Sequence, residues 1–309
     1  MSANISPPWL QHFIDSPILS DVVHVECLRR WSLSEVLRLT LKDGRTFIAK
    51  KARPLNRPSE LEIYQQLLIP LSIDVPIIYS SHYIESESLM LMEDLKGANL
   101  EQQPKTSYYL EAVRQLARIR ESATKGIKAG KICLSVYQRH YVSQQHFIDD
   151  LNYLLENMDT KRVDDLQTLR EVARLLPLHL DRLYREYPIT LTHNDYHSKN
   201  LIISSNSLVA IDWANAYLSP HLGDLYCILQ EAIEHNISPV NLIETYRFET
   251  SPENGMNDEF FEWHLNMGGL CWSIHSLRWI LEFGIDVIPS SESWVPNIIS
   301  DIRVLVPLL

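Results

Sequence analysis

Apolar and polar positions alternate through the first ninety or so residues and then settle into a three-to-four-residue rhythm. Residues 8–19 read as a short amphipathic lead-in helix, and Val22–Leu28 as a strand. Arg29–Ser34 reads as a turn. In Glu35–Leu41 the residues Leu37, Leu39 and Leu41 share one face, and Val36, Arg38 and Thr40 the other. Asp43-Gly44 is a two-residue hairpin signal, with Arg45–Lys50 as the returning strand. Such a turn opposes Lys42 to Arg45, Leu39 to Ile48 and Leu37 to Lys50. Cross-strand partners share a face, so Lys50 points inward and Lys51 outward. A buried lysine needs an anionic partner; the alternative is that both lysines reach solvent at the strand end.

Ser59 is placed to cap a helix running to about Leu68. Glu60, Tyr64 and Leu67 fall on its inward face, and Glu62 on the polar side. Glu60 is therefore the better partner for Lys50, unless it is an ordinary first-turn glutamate favoured by the helix dipole. Val75–Tyr83 is extended, and Leu89–Met92 is a buried strand ending in Glu93-Asp94-Leu95. Helices are expected over Ser107–Ser122, Val142–Met158, Arg162–Tyr187 with a break at Pro177, and then 221–248, 257–283 and 297–306. Gly126–Gly130 reads as a flexible basic connector. The pattern predicts an α+β chain: a small antiparallel-sheet lobe with one main helix over 1–95, and a larger, mainly helical lobe over 96–309. Short strands at Ile189–Thr192, Leu201–Ile203 and Leu208–Ile211, with a turn at Ser205-Asn206-Ser207, leave His193–Asn200 on a loop.

Charge and cysteine usage narrow the function classes. The net charge is −11, which disfavours nucleic-acid binding and suits a cationic small molecule as well as it suits solubility. The four cysteines show no paired spacing and read as reduced, which points to the cytoplasm. No apolar run approaches the ~20 residues of a membrane span.

The chemistry concentrates in His193–Asn200, which reads H-N-D-Y-H-S-K-N. Asp195 and Asn200 stand five residues apart, and Asp212 follows twelve residues later in I-D-W. Phosphoryl transfer from a nucleotide needs a carboxylate at the acceptor hydroxyl and two oxygen ligands for magnesium. A hairpin arm that returns Asp212 to Asn200 would supply them. Two other readings remain: a zinc hydrolase using His193, Asp195 and His197 at period-two spacing, and a nucleotide- or partner-binding scaffold without turnover.

Ala49-Lys50, Glu60–Tyr64, the L-M-E-D-L run at Leu91–Leu95, H-x-D-x-H-x-x-N at 193–200 and I-D-W at 211–213 occur in one order. In that order they resemble the aminoglycoside phosphotransferase and choline kinase group of protein-kinase-like enzymes. The resemblance covers most of the chain and implies a bilobal kinase-like fold, ATP or GTP as donor, and a small hydroxylated acceptor. It implies that Asp195 takes the acceptor's proton and that Asn200 and Asp212 hold Mg2+. Lys50 would contact the α/β-phosphates, fixed by Glu60. Ile202 and Ile211 would line the adenine floor, and Met92, Glu93 and Asp94 would offer backbone groups to the base. His193 would hold the loop, His197 is read as structural beside it, and Asp224 would brace the loop through its backbone.

Three features depart from the pattern. Asn194 and Lys199 replace frequent glycines, although Asn tolerates positive φ. The Arg29–Ser34 loop contains no glycine to cover the phosphates. For the acceptor, Trp213, Tyr217, Glu262, Trp263, His264, Trp272, His275 and Trp279 are candidate lining. The Trp272–His275–Trp279 stripe reads equally as helix core. An aminoglycoside, another antibiotic, an amino alcohol, homoserine and a sugar all stay open as acceptors.

Overall fold

The computed structural model describes residues 7–309 except 14, 55–57, 160, 205–206 and 251–257. Strands β1 (Val22–Arg30), β2 (Ser34–Leu41) and β3 (Thr46–Ala52) form an antiparallel meander. Helix α1 (Glu60–Ile63) follows and continues as a wider π-helical turn over Tyr64–Leu68. It starts where the sequence places it. The Ser59 hydroxyl accepts the Glu62 N–H, and the Glu62 side chain reaches back to the Ser59 backbone. Strands β4 (Ile78–Ile84) and β5 (Glu87–Glu93) complete a five-stranded sheet in the order β1-β2-β3-β5-β4.

The β2–β3 register differs by one from the sequence expectation. Leu37 lies opposite Ala49, Leu39 opposite Phe47, and Val36 opposite Lys50. The cause is the turn. Leu41 N–H bonds to Arg45 C=O, and the loop is the three residues Lys42-Asp43-Gly44, with Gly44 at φ +82°. Glycine reaches this left-handed position without strain, and it closes a type I turn with a bulge. Lys50 therefore stands on the face opposite Leu37 and Leu39, with Val36 and Ile48. Both faces are covered, which is why apolar character did not identify the cleft side. Leu37, Leu39, Leu41, Phe47, Ala49, Leu89 and Leu91 pack beneath Trp9, Leu10 and Phe13 of a short 3-10 helix (Pro8–Phe13). Trp9 Nε1 donates to Glu35 Oε2 at 2.7 Å and pins that cover.

From residue 106 the chain is mainly helical. Helix α2 (Thr106–Lys128) runs through the expected connector, and Gly126 lies against Leu71, where a Cβ would come within 2.8 Å of Leu71 Cδ2. Helix α3 (Leu134–His140), which the sequence pattern did not reveal, precedes α4 (Gln144–Asn157) and α5 (Val163–Glu186). α5 is not interrupted at Pro177. A proline inside a helix costs about 3 kcal/mol, and the buried face of Leu169, Val172, Leu176, Leu180 and Leu183 offsets it.

Short strands β6 (Thr190–Thr192), β7 (Leu201–Ile203), β8 (Leu208–Ala210) and β9 (Tyr217–Ser219) pair as β6–β9 and β7–β8. Of the turn expected at 205–207, residues 205–206 lie outside the described residues. The expected helix over 221–248 is two helices, α6 (Gly223–Glu234) and α7 (Pro239–Glu249), parted at Asn236 with φ +58°. α8 (Asp258–Trp279) runs on through a π-helical turn into α9 (Ile285–Val287), and α10 (Val295–Leu305) closes against α8 and α5. One core joins α1 and β5 to α2, α6 and the loop strands, and a second lies among α4, α5, α8 and α10.

The segment after β5 laces the sheet to these loop strands. Ile203 N–H bonds to Ala98 C=O at 2.8 Å, and Leu100 N–H to Leu201 C=O at 2.9 Å. Gly97 allows this approach, since a Cβ there would fall 2.0 Å from Ile203 O.

Candidate active site

β6 delivers the chain into His193–Asn200, and α6 anchors that loop from below. The buried Asp224 carboxylate accepts the backbone N–H of His193 at 2.7 Å and of Asn194 at 2.8 Å. Burial pushes the Asp224 carboxyl upward, opposed by the two backbone N–H groups it accepts and by nearby Arg120. Asn194 sits at φ +63°, the left-handed conformation that asparagine tolerates, and its side-chain oxygen accepts the Tyr217 hydroxyl at 3.1 Å. His193 Nδ1 accepts the Asp195 N–H at 3.3 Å, and Nε2 donates to Ile211 C=O at 3.0 Å. Burial depresses the His193 pKa, consistent with this neutral tautomer. Both ring nitrogens are thus used within the loop.

Asp195 stands half-exposed at the centre. Its Oδ1 lies 3.1 Å from His197 Nε2, and Oδ2 accepts Asn200 Nδ2 at 2.9 Å. Burial lowers the His197 pKa, but the hydrogen bond and charge of Asp195 outweigh it and raise the imidazole above its ordinary value. A second carboxylate clamps the same loop: Glu231 takes the Ser198 N–H at 2.7 Å and its hydroxyl at 3.2 Å.

Ile211 N–H bonds to Asn200 C=O at 2.9 Å, which carries the next residue, Asp212, to Asn200. Asp212 itself adopts φ +64°. Its Oδ1 meets Lys50 Nζ at 2.8 Å, and its Oδ2 meets Arg29 Nη2 at 3.0 Å. Lys50 Nζ lies 2.5 Å from Glu60 Oε2, with both side chains buried. So Lys50, not Lys51, meets Glu60; Lys51 faces Glu87 at 3.6 Å. Burial would raise the Asp212 carboxyl, yet Lys50 and Arg29 hold it well below the usual carboxylate range. Burial would likewise lower Lys50, and the two carboxylates keep it raised and charged. Burial raises Glu60, against the pull of Lys50.

Along the crossover, Met92 is buried opposite Ile48. The side chains of Glu93 and Asp94 turn to their own scaffold. Glu93 accepts the Ile77 N–H at 3.2 Å, and Asp94 pairs with Arg38 at 2.7 Å. Glu93 N–H is spent on Ile77 C=O at 2.8 Å. Ile202 and Ile211 are half-buried where β7 and β8 meet the loop.

The aromatic set disperses. Trp213 is fully buried 4.3 Å from the His193 ring, and Trp263 donates to His179 and stacks under Arg182. His264 is buried against Pro220 C=O, and His275 bonds Asp150 at 2.7 Å. These four belong to the packing, while Tyr217 reaches the loop. Two participants escaped the sequence reading. Glu231 lies seven residues after Asp224 on one face of α6, a spacing that could have been read. Arg29 gave no signal: it sits 183 residues from Asp212.

Asp212 and the Asn200 amide oxygen are hard oxygen donors, a set that suits magnesium completed by phosphate and water. Among the described residues, no group of three His, Cys, Asp or Glu could hold a metal ion, so a three-ligand zinc site has no support. No helix among the described residues is long and apolar enough to cross a membrane.

No curated protein matches the chain. Its fold is similar to that of amicoumacin kinase hAmiN, solved with AMP-PNP, Ca2+ and Ami, at TM-score 0.67 and 14% identity over 96% of this chain and 94% of that one. A thermostable mutant of aminoglycoside phosphotransferase APH(4)-Ia in its apo form matches at TM-score 0.63 and 13% identity, over 96% and 98% of the two chains. The gentamicin–APH(2″)-IIa complex matches at 0.61 and 15%, over 97% and 96%. At these identities the likeness speaks for a shared kinase-like fold. Residues 28–250 match the APH phosphotransferase enzyme family, and the chain belongs to that family.

Proposed function

We propose that this phosphotransferase moves the γ-phosphoryl group of ATP, or of GTP, to a hydroxyl of a small molecule such as an aminoglycoside-like antibiotic, an amino alcohol or a sugar. The observation that carries the reading is one continuous constellation. Glu60, Lys50 and Asp212 form a buried chain of ion pairs, and the Ile211–Asn200 backbone bond joins it to the Asp195 loop.

In this reading Asp195 receives the acceptor hydroxyl and takes its proton as the phosphoryl group moves. The Asn200 and His197 contacts fix both carboxylate oxygens in position. Lys50, oriented by Glu60, meets the α/β-phosphates. Asn200 and Asp212 would hold magnesium, which neutralises charge on the β- and γ-phosphates when bound. Ile202 and Ile211 would line the adenine floor, and the backbone groups along Met92–Asp94 other than the Glu93 N–H, which bonds Ile77, would be offered to the base edge. His193, His197 and Asp224 keep the loop in shape. Four free cysteines suit a reducing cytoplasm.

The test is an acceptor panel of aminoglycosides, amino alcohols and sugars with magnesium and ATP or GTP, read by mass spectrometry. The reading expects at least one product heavier by a phosphoryl group. Nucleotide binding without any phosphorylated product across the panel would favour a non-catalytic scaffold instead.

A further inference from the structure

The hairpin that a kinase-like fold lays over the nucleotide phosphates here turns through Trp31-Ser32-Leu33, closed by Trp31 N–H to Ser34 C=O at 2.8 Å. It has no glycine, so backbone N–H groups cannot approach phosphate as a glycine-rich loop allows. What the hairpin does send into the cleft is Arg29. Its Nη2 meets Asp212 Oδ2 at 3.0 Å and Ser34 Oγ at 3.3 Å, and its Cζ lies 4.8 Å from the Trp31 ring centroid. Its Nε is buried and has no hydrogen-bond partner among the described residues.

The two cations on Asp212 are not held equally. Lys50 is 8% exposed and also bound by Glu60, whereas Arg29 is 30% exposed and, among the described residues, pairs with no second carboxylate. Each Asp212 oxygen already carries a cation, so a metal ion drawn to this carboxylate competes with one of them, and Arg29 is the less firmly held. Its strand keeps the freed guanidinium over the cleft, with a planar fork of donors that matches phosphate oxygens. Phosphates are the anions that enter with the metal.

We propose that Arg29 is the phosphate-binding residue of this hairpin, held by its ion pair with Asp212 and passed to the nucleotide phosphates when they bind, in place of a glycine-rich cover. The proposal rests on the triphosphate-dependent reaction above. It separates from a plain structural strut by ligand: a strut serves every ligand of the cleft alike, whereas a phosphate contact acts only on phosphates.

Isothermal titration of wild type, Arg29→Ala and Arg29→Lys with AMP-PNP and with adenosine, both in magnesium, reads the difference. Arg29→Ala should weaken AMP-PNP about tenfold to a hundredfold, the range of a hydrogen bond to a charged group. Adenosine should change less than about twofold. Arg29→Lys should fall between for AMP-PNP, since it keeps the charge and loses the fork. Equal weakening of both ligands, or undiminished AMP-PNP binding by Arg29→Ala while wild type binds, overturns the role of Arg29 alone. Wild type that fails to bind AMP-PNP overturns the proposed reaction and this inference with it.

Discussion

Replacing Lys50 by methionine separates the cost of a buried charge from the loss of function. The variant leaves Glu60, whose side chain is 1% exposed, without the ammonium 2.5 Å away. Removing one partner of a buried ion pair costs about 3–5 kcal/mol, because the remaining charge is stranded. Removing both costs far less. Lys50→Met combined with Glu60→Gln should recover most of the loss, the remainder falling on Asp212, which loses Lys50 and keeps Arg29, while phosphoryl transfer stays abolished in both.

The deficit has a pH signature. Burial already raises Glu60 above its ordinary value of 4.5, and losing Lys50 removes a charge that lowers it. A carboxyl raised in the folded state leaves the protein most stable below its unfolded pKa. Stability then falls as pH climbs from there to the folded value. The single variant should therefore lose less at about pH 5 than at about pH 8, and the double variant should show little of this dependence. Urea unfolding followed by tryptophan fluorescence, on wild type, both single variants and the double, measures it. A cost for Lys50→Met under about 1 kcal/mol near neutral pH, or a deficit that grows on acidification, would refute the stranded-charge argument.

Two further outcomes follow from the loop. Asp224→Ala orphans the N–H groups of His193 and Asn194 and should destabilise the protein by about 2–4 kcal/mol, with amide exchange at those two positions rising first; unchanged protection there would contradict the brace. The His197 imidazole, raised above its ordinary 6.5 by the Asp195 carboxylate, adds stability that is complete below about 6.5 and is lost as pH rises through its folded pKa. An NMR titration should place its midpoint above 6.5, and Asp195→Asn should bring it down; a wild-type midpoint at or below the ordinary value would contradict the pairing.

The parts readable in the sequence are those set by local chemistry. Ser59 and Glu62 announce the start of α1, and period-two alternation announces β2. The Asp195–Asn200 spacing keeps the two polar groups in one short loop, where Asn200 Nδ2 reaches Asp195 Oδ2. The hairpin pattern selects Lys50 over Lys51, yet by a register one residue out, because Gly44 makes a three-residue turn and Trp9, Leu10 and Phe13 cover the sheet face away from the cleft. Helical periodicity does not separate lining from core: the Trp272–His275–Trp279 stripe reads as either, and His275 packs inward against Asp150. Arg29 on Asp212 is a contact made only by folding β1 over the loop, so no local pattern carries it.

The central claim is that Asp195 serves phosphoryl transfer to a hydroxyl. The most direct measurement follows label from γ-labelled ATP into acceptor, with wild type and Asp195→Ala side by side on whichever panel member is turned over. The account predicts labelled acceptor from wild type and a loss of about a hundredfold to ten-thousandfold in Asp195→Ala, the range of a positioned general base. Equal labelling by the two proteins would contradict it.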